Sequence, residues 1–300
     1  MTSGVWRCPL CHEPLSLVGR SFVCSNRHSF DQAKEGYVNL LPVNRKHSAD
    51  PGDNKEMLES RRYFLQQGFY APLAAALAVA IREYFPDSAE ALDVLDAGCG
   101  EGYYLSQLAQ HLGDNTQFTG TDISRAAMRL AAKQYPAMQF AVASSFDLPL
   151  ADASVDVLVR VFAPASEAEI VRVLKPGGLY LWAYPAAQHL FELRRLIYDD
   201  PKPHTVEDLS PIAGMVECAP LQVRYAVTLP DQASVAALLK MTPYYWSASA
   251  EKQARCEGLA SLDLTVDFAV SVMQKPAGCT YFASLGGAGA SNPVSGAVGG

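Results

Sequence analysis

The chain has 300 residues, 49% hydrophobic and 18% charged, with a net charge of −7. That composition excludes a disordered or fibrous protein and points to a soluble globular one with core to spare. The longest apolar run, Ala71 to Ile81, spans 11 residues and is too short to cross a bilayer, and the N-terminus lacks a secretory pattern, so no membrane and a cytoplasmic location are expected. Charge is unevenly placed: residues 1–62 hold nine Lys/Arg against seven Asp/Glu, while the remainder holds 15 against 24. The forward basic residues, among them Arg27, Lys34, Arg45, Lys46, Arg61 and Arg62, read either as a solvated surface or as an RNA-facing patch.

In chain order, residues 1–40 form a short Cys/His-rich unit with two weak strands. Residues 41–72 hold a Pro/Gly/Asp-rich linker, "LPVNRKHSADPGD", and a helix through "KEMLESRRYFLQQG" with Asn54 as N-cap and Gly68 as its stop. A second helix, "PLAAALAVAIREYF", sets Leu73, Leu77 and Ile81 on one face. From there to residue 275 strands and helices alternate: "ALDVLDAG", "GYYLSQLAQHL", "TQFTGTDI", "SRAAMRLAAKQY", "MQFAVAS", "SVDVLVRVF", "EAEIVRVL" and "LYLWAYP". Such alternation implies parallel strands joined by crossover helices, a doubly wound α/β sheet. Beyond Pro201 the signals weaken, with strands expected at "LQVRYAVTL" and "DLTVDFAVSVMQK" and a helix near "DQASVAALLKM". Residues 276–300, rich in Gly, Ala and Ser, read as a disordered tail.

Seven cysteines form no even framework, but three cluster: Cys8-x2-Cys11, twelve residues, then Cys24-x3-His28. Two ligands on each of two knuckles suit tetrahedral zinc, and four protein ligands leave no open position, so the metal is expected to be structural. A unit of this size gains its folding free energy from the ion. His12 and His47 are not spaced to pair with Cys24.

In "VLDAGCGEGYY", Asp96 ends a strand and Gly98, Gly100 and Gly102 form the turn that opens a helix. The turn is shorter than a dinucleotide fingerprint and follows an acidic residue, which suits a ligand with a cationic amino-acid head. Asp122 ends the next strand, 26 residues on, placed to accept two ribose hydroxyls. Together they indicate S-adenosylmethionine.

"VLKPGG" (Val173 to Gly178) is a further hallmark of class I methyltransferases. With the zinc spacing, "AKEGYVNLLPV", "DPGD", "CGEGYY", "VASS" and "KMTPYYW", the chain closely resembles the RlmA family of 23S rRNA guanine-N1 methyltransferases over about residues 5–275. The resemblance implies a class I, Rossmann-like S-adenosylmethionine-dependent methyltransferase domain behind a small N-terminal zinc-binding module. It implies zinc at Cys8, Cys11, Cys24 and His28, and cofactor contacts from Tyr70, Tyr104, Leu105 and His189. By their own context Tyr70 is equally an ordinary core tyrosine and His189 a helix start. The substrate implied is a guanine in a domain II hairpin of 23S rRNA, the 745-type position favoured over the neighbouring 748-type. A homodimer is implied by resemblance alone. Ser144 and Ser145 stand where many class I enzymes carry an acid for adenine, leaving backbone groups or Asp147 for that task. After the fourth strand, Phe162 is placed to stack on the base, or to fill core, and Pro164 to shape the pocket; no residue is named as the base. The alternatives are a class I methyltransferase acting on a small molecule or another RNA, and a non-catalytic zinc adaptor.

Overall fold

A computed structural model describes residues 3–42, 54–86, 91–205 and 212–277. Arg45, Lys46 and "DPGD" lie outside the described residues, as does the expected tail from residue 278 onward.

The N-terminal unit is a four-stranded antiparallel sheet of β1 (Ser3–Arg7), β2 (Pro14–Val18), β3 (Ser21–Val23) and β4 (Ser29–Asp31), in that order. β5 (Val38–Asn39) follows, then helices α1 (Lys55–Gln66) and α2 (Ala71–Tyr84). Asn54 caps α1 by accepting from Met57 N at 2.9 Å. Leu73, Leu77 and Ile81 of α2 are fully buried, because their spacing lays one apolar stripe against the sheet.

The alternating region supplies β6 (Asp93–Ala97), α3 (Tyr103–Leu112), β7 (Gln117–Asp122), α4 (Arg125–Gln134), β8 (Gln139–Val142), β9 (Val155–Val161), α5 (Glu167–Val173) and β10 (Leu174–Pro185). After it come α6 (Phe191–Ile197), β11 (Val216–Glu217), β12 (Leu221–Leu229), α7 (Gln232–Met241), α8 (Pro243–Ser247), α9 (Ala250–Glu257) and β13 (Leu262–Gln274). The main sheet runs β11-β13-β10-β9-β6-β7-β8-β5, with β12 also on β13. β5 through β10 pair in parallel; β13 runs antiparallel to β10, β11 and β12. This is the expected class I methyltransferase fold. Strand order reverses between β6 and β9, so a crevice opens where their carboxyl ends diverge, the usual ligand position in such sheets.

Packing does not change at residue 40, the expected end of the N-terminal unit. Val38 and Asn39 pair with Ala141 and Val142 of β8 at the edge of the main sheet. Trp6, only 2% exposed, shares one apolar cluster with Leu15 and Phe22 of the small sheet, Leu95 and Leu158 of the large one, and Leu148 and Leu150 of the connection between β8 and β9. Arg7 N donates to the Pro149 carbonyl at 2.9 Å. So small a sheet buries too little apolar area alone, and the indole extends its core into the neighbour's.

Among the described residues no single helix is long and apolar enough to span a membrane; α1 and α2 pass that test only as a pair bent by 73°.

Candidate active site and metal centre

The metal candidates converge. The ligand atoms of Cys8, Cys11, Cys24 and His28 all lie within 4.8 Å of one another. Sγ of Cys11 and Cys24 are 3.7 Å apart, and His28 Nδ1 lies 3.4 Å from Cys8 Sγ and 3.5 Å from Cys24 Sγ. Zn–S bonds of about 2.3 Å in a tetrahedron put sulfurs about 3.8 Å apart, so the cage already has zinc's dimensions. Each knuckle closes tightly: His12 N donates to Cys8 O, Arg27 N to Cys24 O, and both donor residues have left-handed backbones (φ 63° and 62°). The donor set and its spacing fit structural zinc, with no position left for a reactant.

At the crevice, the turn after β6 takes three left-handed glycines, φ 87° at Gly98, 55° at Gly100 and 87° at Gly102. Gly98 also tolerates no side chain: a Cβ there would stand 2.3 Å from Ala163 Cβ, in the segment leaving β9. Asp122 shapes the turn, its Oδ2 accepting from Gly100 N at 2.9 Å and its Oδ1 from Ser124 N at 2.8 Å. Among the described residues no side chain caps α3, which leaves the N–H groups of its first turn for other acceptors. Leu105 is fully buried, which leaves its backbone N–H, not its side chain, to serve a ligand.

Asp96 is 1% exposed, and neither carboxylate oxygen has a hydrogen-bond partner among the described residues. Burial, reinforced by the neighbouring Asp122, pushes its carboxyl up to about 8. The Tyr104 hydroxyl is likewise buried and unpartnered. A buried carboxylate without donors is costly unless a cation completes it, and S-adenosylmethionine carries both an ammonium and a sulfonium. The orphaned oxygens and the glycine cradle therefore fit that cofactor. Glu101 adds a second buried acid, one oxygen unpartnered, raised to about 7 by burial against the opposing pull of Arg62 and Arg61. Its place between Gly100 and Gly102 in "CGEGYY" is the sequence signal for it.

Tyr70 and His189 meet across the crevice, Oη to Nε2 at 3.3 Å. Both are buried, and burial holds the imidazole down at about 3, so it is neutral. Nδ1 accepts from Asp267 N at 3.3 Å, which places the ring proton on Nε2. Phe162 is not core: it is 45% exposed, with a strained left-handed backbone (φ 58°) and its ring 6.2 Å from that of His189. Pro164 is exposed, and its carbonyl accepts from Ser145 Oγ at 2.6 Å. Ser144 Oγ accepts from Phe146 N, so both serines bond within the chain.

The basic residues do not act alike. Arg27 and Lys34 are exposed on the zinc unit. Arg61 donates to the Met241 carbonyl and Arg62 to Gln134 Oε1, so these two serve packing of α1 as well.

Comparison with known proteins agrees with this layout. Residues 6–49 match the zinc-ribbon family described as RlmA, N-terminal, and residues 94–178 match a methyltransferase domain family. YxjB of Bacillus subtilis (strain 168) is 34% identical over 283 residues, covering 90% of this chain and 97% of YxjB. The 23S rRNA (guanine(748)-N(1))-methyltransferase of Streptomyces fradiae is 35% identical over 276 residues, 88% of this chain and 95% of its own. Among solved structures, the YcgJ protein of Bacillus subtilis aligns with a TM-score of 0.45 at 16% identity, over 68% of this chain and 100% of that one.

Proposed function

Because this chain belongs to the RlmA family and is an S-adenosylmethionine-dependent methyltransferase with structural zinc, we propose that it methylates N1 of a guanine in a domain II hairpin of 23S rRNA. On this reading the cofactor is held by Tyr70, Asp96, Gly98, Gly100, Tyr104, the Leu105 backbone, Asp122 and His189, and zinc by Cys8, Cys11, Cys24 and His28. Phe162 and Pro164 border the entering base. The enzyme is cytoplasmic, where its RNA is found.

The observation that carries the reading is the seat of the zinc unit. Trp6 bridges to Leu150, and Arg7 bonds Pro149, directly after the Ser144–Asp147 rim of the crevice. A small-molecule enzyme has no use for a metal-folded module fixed beside its pocket, whereas a hairpin needs a second surface to grip. N1 lies on the Watson–Crick edge, so the guanine must leave its pair to react, and RNA hairpins are read by shape and by stacking on splayed bases. Exposed Arg27 and Lys34 supply positive charge on that surface. The sulfonium supplies an electrophilic methyl when the cofactor is bound; the chain's part is to align the base with it at about 3 to 3.5 Å and to exclude water.

The test is methylation of 23S rRNA from a strain lacking the modification, mapped by primer extension, since an N1 methyl blocks pairing. One strong stop in the domain II hairpin supports the reading and identifies the guanine, the 745-type on this account and the 748-type if the chain follows its Streptomyces fradiae relative. No stop from zinc-replete, cofactor-binding protein overturns it in favour of a small molecule or another RNA.

A further inference from the structure

Beyond His189, one wall of the crevice carries side chains that no cofactor contact uses. From exposed Phe162 a row of rings runs through buried His189 to half-buried His204 and Tyr244: Phe162 to His189 at 6.2 Å, His189 to His204 at 6.3 Å, His204 to Tyr244 at 6.1 Å. His204 Nε2 and Tyr244 Oη are 2.7 Å apart, and Tyr244 is the first Tyr of "KMTPYYW". Against this row lies Arg194 of α6, 8% exposed, its Cζ 6.0 Å from the Tyr244 ring. Nη2 donates to the Lys202 carbonyl, while Nε and Nη1 are buried with no hydrogen-bond partner among the described residues. A buried guanidinium with idle donors is unfavourable unless an acceptor arrives, and its fork matches guanine O6 and N7.

We propose, resting on the rRNA reading above, that this wall is the guanine pocket: Arg194 donates to O6 and N7, and the His204–Tyr244 pair receives the N1 proton. Neutral guanine has no nucleophilic lone pair at N1, because N1–H belongs to an amide-like system whose conjugate base carries its charge on O6. A guanidinium at O6 therefore acidifies N1–H where the methyl must attach. In the step, the N1–H bond breaks toward the His204–Tyr244 pair and the N1–C bond forms. The methyl C–S bond breaks with its electron pair returning to sulfur, and the positive charge lost there reappears as imidazolium. His189 cannot serve, since both of its nitrogens are engaged by Asp267 N and Tyr70 Oη. His204 is available as the free base at neutral pH, lowered by partial burial and by Arg194. The ionisable groups around it are Arg194 from α6, His189, Tyr244 from α8, and Tyr198, whose ring is 6.1 Å from that of Tyr244.

The experiment is a single-turnover methylation series on the 23S rRNA hairpin with wild type, His204→Gln, Tyr244→Phe and Arg194→Met, across about pH 6 to 9. Cofactor affinity and thermal melting are measured on the same samples, so a misfolded variant is recognised. His204→Gln is expected to lower the rate by about 100-fold or more, with cofactor affinity within about threefold, and to make the residual rate climb with pH where wild type has levelled off. Tyr244→Phe gives a smaller loss. Arg194→Met is expected to abolish the preference for a hairpin carrying guanine over one carrying 7-deazaguanine, which keeps N1–H and O6 but lacks N7, at the target. Wild-type activity on the hairpin with His204→Gln equally active at every pH would overturn this assignment and leave the rRNA reading intact. A wild type that never labels rRNA would overturn the reading itself, and the assignment with it.

Discussion

Tyr70 Oη stands 3.3 Å from His189 Nε2, joining the turn before α2 to the segment after β10 across 119 positions of sequence. Because His189 Nδ1 accepts from Asp267 N, Nε2–H donates to the tyrosine, and the phenolic proton is left to point elsewhere. Tyr70→Phe is expected to weaken S-adenosylmethionine binding by about tenfold, the worth of one hydrogen bond, with little change in melting temperature. Isothermal titration measures it. Neutrality of His189 down to about pH 3 makes this contact insensitive to pH through the neutral range.

Asp96 couples stability to the cofactor. An aspartate unfolds to an ordinary value of 3.8, but here burial raises it to about 8. Between those values the unfolded chain releases a proton that the folded chain retains, so cofactor-free stability falls across that window and is flat below it. Asp96→Asn should raise the melting temperature of the cofactor-free protein by about a few degrees near pH 8 and leave it unchanged near pH 4, while abolishing cofactor binding. Wild type binding a cationic ligand below pH 8 must expel the Asp96 proton, and titrations in buffers of different ionisation enthalpy detect it.

Gly98→Ala introduces a methyl 2.3 Å from Ala163 Cβ and a side chain at φ 87°. The segments after β6 and β9 would have to separate at that contact. Cofactor affinity should fall by about 100-fold, and stability by about 1–3 kcal/mol, read from titration and from urea unfolding.

Zinc removal should act beyond the N-terminal sheet. Trp6 is shared between both cores, so Cys11→Ser or chelation should disorder β1 to β4, expose the indole and shift its fluorescence to the red. RNA affinity should be lost first. The cofactor crevice is built by β6, β7 and β9, so S-adenosylmethionine binding should persist at reduced thermal stability.

What could be read from the chain depended on how local each signal was. The glycine turn, Asp122 and the zinc knuckles each lie within a few residues or one strand–helix unit, so spacing alone placed them. Alternating apolar runs likewise gave β6 through β10, because buried parallel strands have continuous hydrophobic stretches. β5 has two residues and no period to detect. Arg194, His204 and Tyr244 come from three segments that only tertiary packing joins, and no repeat or motif links them. Sequence alone does not separate core from pocket for Phe162, since a strand-end aromatic looks the same in either role; its 45% exposure takes it out of the core.

The most direct test of the account is nucleoside analysis of 23S rRNA after reaction with the purified protein and methyl-labelled S-adenosylmethionine. The account predicts label in N1-methylguanosine alone, from a single hairpin residue. Label in any other methylated nucleoside, or none in rRNA from protein shown to bind cofactor and zinc, would contradict it.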